Sequence, residues 1–211
     1  MSRIDASELR GRLIKQRVVP VLRLASAEET RFAVDCLVEA GFGCIELTLT
    51  TPGAVELIAE LRARMGPETS IGAGTVLDLA SADRCIAAGA DFLVSPCMVA
   101  GMAARAHAAG RFALIGGYTP GEVLAAVREG ADIVKVFPAA SGGPAHLGAL
   151  HAVFPEVALC TTGGVSLANM KDYFSAGASL VGVGNNIIAT AALREGKRER
   201  VVEHARNYLI A

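Results

Sequence analysis

A short passage recurs along this chain and leaves few folds open to it. A helical stretch closes on glycine, and an apolar strand begins shortly after. The copies are Glu39-Ala40-Gly41-Phe42-Gly43-Cys44-Ile45-Glu46, Ala88-Gly89-Ala90-Asp91-Phe92-Leu93-Val94 and Ala109-Gly110-Arg111-Phe112-Ala113-Leu114-Ile115. Two more are Glu129-Gly130-Ala131-Asp132-Ile133-Val134-Lys135 and Ala176-Gly177-Ala178-Ser179-Leu180-Val181-Gly182. Glycine suits the left-handed residue that ends a helix. The near-continuous apolar run after it suits a parallel strand buried on both faces. All such runs together predict eight strands, near 18–23, 44–49, 70–74, 92–95, 112–116, 133–137, 157–161 and 180–183. Helices are predicted between them, near 27–40, 53–65, 79–88, 98–109, 120–129, 144–152 and 167–176. Ser26, Thr51-Pro52 and Thr119-Pro120 read as helix starts. Eight βα units at a spacing of about 20 to 25 residues predict an α/β chain closed into a (β/α)8 TIM barrel. An open doubly wound sheet would carry a Gly-rich phosphate turn after its first strand, and Val19-Pro20-Val21-Leu22-Arg23-Leu24 has none. Residues 7–16 predict an extra N-terminal helix plugging the barrel bottom, and 187–210 one or two further helices. No linker or low-complexity stretch interrupts the chain, so a single domain over 1–211 is expected.

Composition narrows the function. Of 211 residues, 52% are hydrophobic and 19% charged, enough apolar material for one packed core. Net charge is −1, and the dense charges of 194–200 mix both signs, so a solvated helix face is expected and no nucleic-acid partner. Trp is absent and aromatics make up 5%, leaving few platforms on which bases would stack. Residues 1–17 lack the apolar core of a signal peptide, and Gly, Pro or charge interrupts every apolar run, so no membrane partner is expected. The five cysteines, Cys36, Cys44, Cys85, Cys97 and Cys160, include no CxxC pair, which predicts free thiols and a cytoplasmic location. Cys36, Cys44 and Cys85 read as core residues; Cys97 follows a strand end, and packing is its expected role too.

A barrel places its chemistry at the C-terminal ends of its strands. The polar residues there are Arg23, Glu46, Thr48, Thr50, Thr75, Ser95, Tyr118, Thr119, Lys135, Thr161, Thr162 and Asn185. Lys135 is conspicuous. It interrupts the apolar run Ile133-Val134-Lys135-Val136-Phe137-Pro138, whereas Lys15, Lys171 and Lys197 lie in polar or helical surroundings. An ammonium buried in such a run tends to shed its proton, and a neutral amine can form a Schiff base with a carbonyl. A lysine snorkelling to water or paired with a carboxylate is the plainer alternative. Strand alternation puts Glu46 and Thr48 on one face, and Lys135 and Phe137 on one face. Glu46 is thus the natural partner of Lys135, in a structural ion pair or a catalytic one. Gly163-Gly164 follows strand 7 and Gly182-Val183-Gly184-Asn185-Asn186 follows strand 8, where barrels often hold phosphate on backbone N–H groups. Asn185-Asn186 would cap the short helix there. His107, His146, His151 and His204 fall on predicted helices, away from strand-end carboxylates, so no metal site is expected. Gly72-Ala73-Gly74-Thr75 lacks the rest of a dinucleotide fingerprint, and no cofactor is expected from it.

These residues, in order, resemble a known family. Val18-Val19-Pro20-Val21-Leu22-Arg23, Ile45-Glu46-Leu47-Thr48-Leu49, Ile71-Gly72-Ala73-Gly74-Thr75-Val76-Leu77, Val94-Ser95-Pro96, Ile133-Val134-Lys135-Val136-Phe137-Pro138-Ala139 and Thr162-Gly163-Gly164-Val165 are similar to motifs of the 2-keto-3-deoxy-6-phosphogluconate (KDPG) aldolases. That family includes phosphogalactonate and 4-hydroxy-2-oxoglutarate aldolases, and the resemblance spans about 8–186. It implies a trimeric class I aldolase that needs no metal or cofactor and cleaves a 2-oxo acid to pyruvate and an aldehyde. It implies Lys135 as the Schiff-base lysine, Glu46 as general acid/base, Thr75, Pro96 and Phe137 around the pyruvate end, and Gly163 and Gly164 at the phosphate. Gly184 and Asn185 would join them.

Four departures bear on the substrate. Thr50 stands where gluconate-type enzymes carry a carboxylate-binding arginine; Arg23, matching the galactonate-type branch, would take that role. Asn185 replaces a phosphate-site serine. Tyr118 follows strand 5 in Gly116-Gly117-Tyr118-Thr119, where it would narrow or reshape the pocket, and Cys97 replaces a glycine or asparagine. The leading expectation is cleavage of a phosphorylated 2-keto-3-deoxy sugar acid to pyruvate and an aldehyde such as glyceraldehyde 3-phosphate. A non-phosphorylated 2-oxo acid such as 4-hydroxy-2-oxoglutarate is the second reading, and a barrel that binds phosphosugars without turnover the third.

Overall fold

The structure, a computed structural model, describes residues 6–210. Eight strands, β1 (Val18–Leu22), β2 (Cys44–Thr48), β3 (Ser70–Gly74), β4 (Phe92–Val94), β5 (Phe112–Gly116), β6 (Ile133–Val136), β7 (Leu159–Thr162) and β8 (Leu180–Val183), pair in parallel in chain order. β8 closes onto β1, giving the expected (β/α)8 barrel. The helices are α1 (Ala6–Gln16), α2 (Ala27–Ala40), α3 (Ala54–Arg64), α4 (Leu79–Ala87), α5 (Met102–Ala108), α6 (Pro120–Arg128), α7 (Gly143–Val153), α8 (Met170–Ser175), α9 (Thr190–Arg194) and α10 (Arg198–Ile210). The repeat glycines Gly41, Gly89, Gly110, Gly130 and Gly177 all have positive φ, as helix-closing residues should.

Strand alternation divides the apolar residues into two cores. Ile45, Leu47, Ile71, Ala73, Leu93, Ala113, Ile115, Val134, Val136 and Val181 face out and pack under the helices. Val19, Cys44, Phe92, Val94, Phe112, Leu114, Ile133, Cys160 and Leu180 face in and fill the barrel. Leu9 and Leu13 of α1 join that inner cluster, so the first helix is the expected bottom plug. Gln16 seals it: its amide donates to the Val18 and Cys44 carbonyls and accepts from the Gly43 and Cys44 N–H groups. The lower barrel is therefore packed, and open space remains at the C-terminal end.

Several boundaries moved. α3 starts at Ala54 with Gly53 as its cap; the Thr51 hydroxyl instead accepts the Leu24 N–H at 3.3 Å, joining the loops after β1 and β2. α5 starts at Met102, because Gly101 takes φ 82° and its N–H is held by the Glu129 carboxylate. α8 starts at Met170: the Asn169 side chain accepts from Ser166 N–H and donates to Gly164 O, keeping the chain after β7 as a loop. β7 is shifted to Leu159–Thr162, since Val157 is drawn into a turn by Phe154 O. Residues Asn185–Ile188 form a 3-10 turn with no side-chain cap, so neither asparagine caps it. The cap at Ser26, and the capping box of Thr119 and Glu122 behind Pro120, form as the sequence predicts.

Candidate active site

Lys135 lies in β6 between Gly116 of β5 and Cys160 of β7. Its side chain is 5% exposed and points into the barrel mouth. Burial pushes the neighbouring Cys160 thiol up to about 11, with the Lys135 charge acting against it. From β2, Glu46 brings Oε1 to 3.5 Å from Lys135 Nζ. That oxygen is buried and accepts no hydrogen bond, although a purely structural ion pair would be expected to saturate its acceptors. The arrangement leaves a carboxylate oxygen free beside an amine.

Glu46 reaches this position over the backbone of β3. A Cβ on Gly74 would lie 1.9 Å from Glu46 Oε1, so residue 74 has to be glycine for the carboxylate to sit there. The next residue, Thr75, has φ 59°, a left-handed conformation uncommon for a β-branched side chain. Strain of this kind concentrates at functional sites. Gly116, beside Lys135, lets the loop after β4 close in: a Cβ there would meet the Pro96 carbonyl carbon at 2.1 Å.

A cavity of about 210 Å³ surrounds the pair, walled by Arg23, Thr48, Thr75, Pro96, Phe137 and Thr162, with Val21 and Leu77. Phe137 places its ring centroid 5.8 Å from Lys135 Nζ. A second cavity of about 290 Å³ shares Val21, Arg23, Phe137 and Thr162 with the first and extends to Gly163, Gly164, Gly184, Asn185 and Asn186. The inner space thus continues outward to the glycine turns after β7 and β8. Arg23 borders both parts. Its backbone is gripped by Asn185, whose Oδ1 accepts Arg23 N–H at 3.1 Å and whose Nδ2 donates to Arg23 O at 2.6 Å. The Asn185 amide is therefore engaged across the β1–β8 seam, where it holds the Arg23 backbone.

Three other positions lie apart from the inner cavity. Thr50 borders a hollow of about 500 Å³ beside α3 and α4 that shares Thr75 and Leu77 with the inner cavity but is without the amine or its carboxylate. Thr48 donates its hydroxyl to Leu22 O, and Thr50 hydrogen-bonds to Thr48 at 2.8 Å. Cys97 is exposed, contrary to the packing role expected of it, because Ser95 holds the loop after β4 outward through the Cys97 backbone. Tyr118 does not narrow the inner cavity: it stacks on His146 at 4.4 Å and lines a small pocket beyond Phe137 with Cys97. Gly74, Val21, Leu77 and Asn169 were not anticipated as site residues. Among the described residues no group of three or more His, Cys, Asp or Glu side chains could hold a metal ion.

The fold and site define a (β/α)8 barrel with a buried amine–carboxylate pair at its C-terminal mouth. The family model "KDPG and KHG aldolase" matches residues 9–204, and the chain belongs to that family. A probable 2-dehydro-3-deoxy-6-phosphogalactonate aldolase of Rhizobium meliloti (strain 1021) is 33% identical over 191 residues, 90% of each chain. A KHG/KDPG aldolase of Escherichia coli (strain K12) is 35% identical, covering 90% of this chain and 89% of its own. Among solved structures, KDPG aldolase from Legionella pneumophila with pyruvate captured as a covalent carbinolamine intermediate superposes with a TM-score of 0.85 at 28% identity. The match covers 93% of this chain and 96% of that one.

Proposed function

We propose that this chain is a class I aldolase that cleaves a 2-keto-3-deoxy sugar acid, phosphorylated at its far end, to pyruvate and an aldehyde. The observation that carries this is Lys135 Nζ 3.5 Å from an unbonded Glu46 oxygen, both buried in the barrel mouth. In its unprotonated form the Lys135 amine attacks the C2 ketone of the substrate to give a carbinolamine. Glu46 delivers the proton with which the hydroxyl leaves as water, forming an iminium. The C4 hydroxyl then loses its proton and the C3–C4 bond breaks. Its electrons pass to the iminium nitrogen, the aldehyde departs, and an enamine of pyruvate remains. Protonation at C3 and addition of water release pyruvate and restore the amine. Glu46, 3.5 Å from the Lys135 amine, serves as the proton-transfer group.

Thr75, Pro96 and Phe137 enclose the pyruvate end, and Arg23 binds the substrate carboxylate or the adjoining anionic chain. Gly163, Gly164 and Gly184 line the outer cavity, where backbone N–H groups suit a phosphate. Thr50 assists only through Thr48. A second reading, a non-phosphorylated donor such as 4-hydroxy-2-oxoglutarate, is favoured by the engagement of the Asn185 amide with Arg23. The chain is proposed to act as one barrel domain in a homotrimer. A cytoplasmic location is supported by five free thiols.

Borohydride reduction in the presence of pyruvate, followed by peptide mass analysis, tests the chemistry. A reduced pyruvate adduct on Lys135, lost in Lys135→Ala with pyruvate release, is expected; activity retained by Lys135→Ala rejects the mechanism. Comparing kcat/KM for phosphorylated and non-phosphorylated donors separates the two substrate readings.

A further inference from the structure

Two side chains of α10 meet one acceptor behind the outer cavity. The Asn186 carbonyl accepts from Tyr208 Oη–H at 3.3 Å and from His204 Nε2 at 2.8 Å. The two rings pack edge to face, 5.8 Å apart. Tyr208 is buried, and burial pushes its hydroxyl up. Asn186 belongs to the turn after β8 and lines the outer cavity. Two side chains of α10 therefore anchor the segment that carries Gly184. The cavity wall is latched elsewhere too, Asn169 holding Gly164 O and Asn185 holding both backbone groups of Arg23. Tyr208 and His204 line neither cavity; they act on its walls.

An anion held by backbone N–H groups gains from dipoles fixed in place before it arrives. Small misplacements of such groups are costly. Resting on the reading that the outer cavity takes the anionic end of the substrate, we infer that Tyr208, aided by His204, is a positioning residue for phosphate. It holds the turn after β8, with Gly184, in place against the outer cavity where a phosphate monoester would sit. The last helix of the chain thereby sets KM for phosphorylated donors while standing outside the site.

The test uses full-length wild type, Tyr208→Phe, His204→Ala and His204→Gln. Pyruvate release is followed with a phosphorylated 2-keto-3-deoxy sugar acid and with its non-phosphorylated counterpart, and inorganic phosphate binding is measured by calorimetry. Loss of one buried hydrogen bond corresponds to a change of about tenfold. Tyr208→Phe is expected to raise KM for the phosphorylated donor by about that factor and to weaken phosphate binding in parallel. Its kcat, and KM for the non-phosphorylated donor, stay within about twofold. His204→Ala moves the same quantities in the same direction, and His204→Gln, which keeps an N–H donor, restores them. Equal shifts for both donors would mean a merely structural staple and overturn the inference. Unchanged phosphate binding in folded Tyr208→Phe, or none in wild type, overturns it as well. Should Tyr208→Phe not fold, the His204 pair decides by the same criteria. Wild type that binds phosphate but releases no pyruvate from either donor counts against the aldolase reading alone.

Discussion

Glu46 can face Lys135 only because residue 74 has no side chain. The Cβ of an alanine there would occupy the space of the Glu46 carboxyl group, 1.9 Å from Oε1. The carboxylate would have to swing away from the amine, and misplacing a proton-transfer group by about 1 Å costs on the order of a hundredfold in rate. Gly74→Ala is therefore expected to lower kcat by about that factor while the protein stays folded, measured by steady-state pyruvate release beside a thermal melt. Wild-type kcat in this variant would mean that Glu46 has another route to the reacting atoms. Lys135 and Glu46 are legible in the sequence because a charge inside an apolar strand is conspicuous. Gly74 is not, because its importance depends on the side chain that the adjacent strand sends over it, and that register is a property of the closed barrel. The engagement of the Asn185 amide depends likewise on β8 meeting β1. The cysteines give a second prediction at this scale. Burial pushes Cys44 up to about 12, Cys85 and Cys160 up to about 11, and raises Cys36 as well. These thiols carry little thiolate at pH 8 and are shielded, whereas Cys97 is exposed. Native protein treated with iodoacetamide should gain one adduct, at Cys97, and unfolded protein five; several adducts on native protein would contradict the packing described.

The first helix shows how an element can support the site without approaching it. α1 sends Leu9 and Leu13 into the bottom of the barrel, both nearly inaccessible, and Gln16 satisfies four backbone groups at the rim. Leu13→Ala leaves a cavity that the surrounding strands cannot readily fill, and such changes cost about 2–5 kcal/mol. A lower denaturant midpoint with unaltered KM is the expected result; a raised KM at full occupancy of the folded state would show that the plug also shapes the mouth. Helix number and order follow from the repeat, since glycine and the apolar run after it mark each return to the sheet. Helix starts are less legible. α5 waits for Gly101 because Glu129, the residue that closes α6, holds its N–H group. α8 waits for Asn169 to finish bonding Ser166 and Gly164. Both delays come from partners chosen by the tertiary fold, which local propensity does not encode. The second delay also serves the outer cavity, because the bond from Asn169 holds Gly164 in its wall.

Across the whole molecule the barrel separates its tasks by end. At the C-terminal mouth Glu46 Oε1 is left without a hydrogen bond. At the N-terminal end two aspartates gather backbone and charged partners. Asp91, just before β4, accepts the Ile71 N–H at 2.9 Å, pairs with Arg62 at 3.2 Å and faces the buried Arg111 at 3.5 Å. Asp132, just before β6, repeats the pattern by accepting Ala113 N–H at 2.8 Å and bonding His107. Both aspartates follow Gly-Ala in the sequence repeat, so in these two copies the motif that closes the helix also supplies a carboxylate to the neighbouring strand. Conserving stability at one end allows the other to keep an unsatisfied, reactive arrangement. Asp91→Ala would remove a backbone hydrogen bond and the carboxylate that faces two guanidinium groups, and breaking a buried pair costs about 3–5 kcal/mol. The expected outcome is a large fall in unfolding free energy with kcat and KM for pyruvate release unchanged at temperatures where the variant is folded. The borohydride adduct on Lys135 should form at the wild-type rate under those conditions. If Asp91→Ala instead slowed adduct formation in folded protein, the two ends would be coupled through the strands, and the packed layer of Phe92, Phe112 and Leu114 between them would be the path to examine.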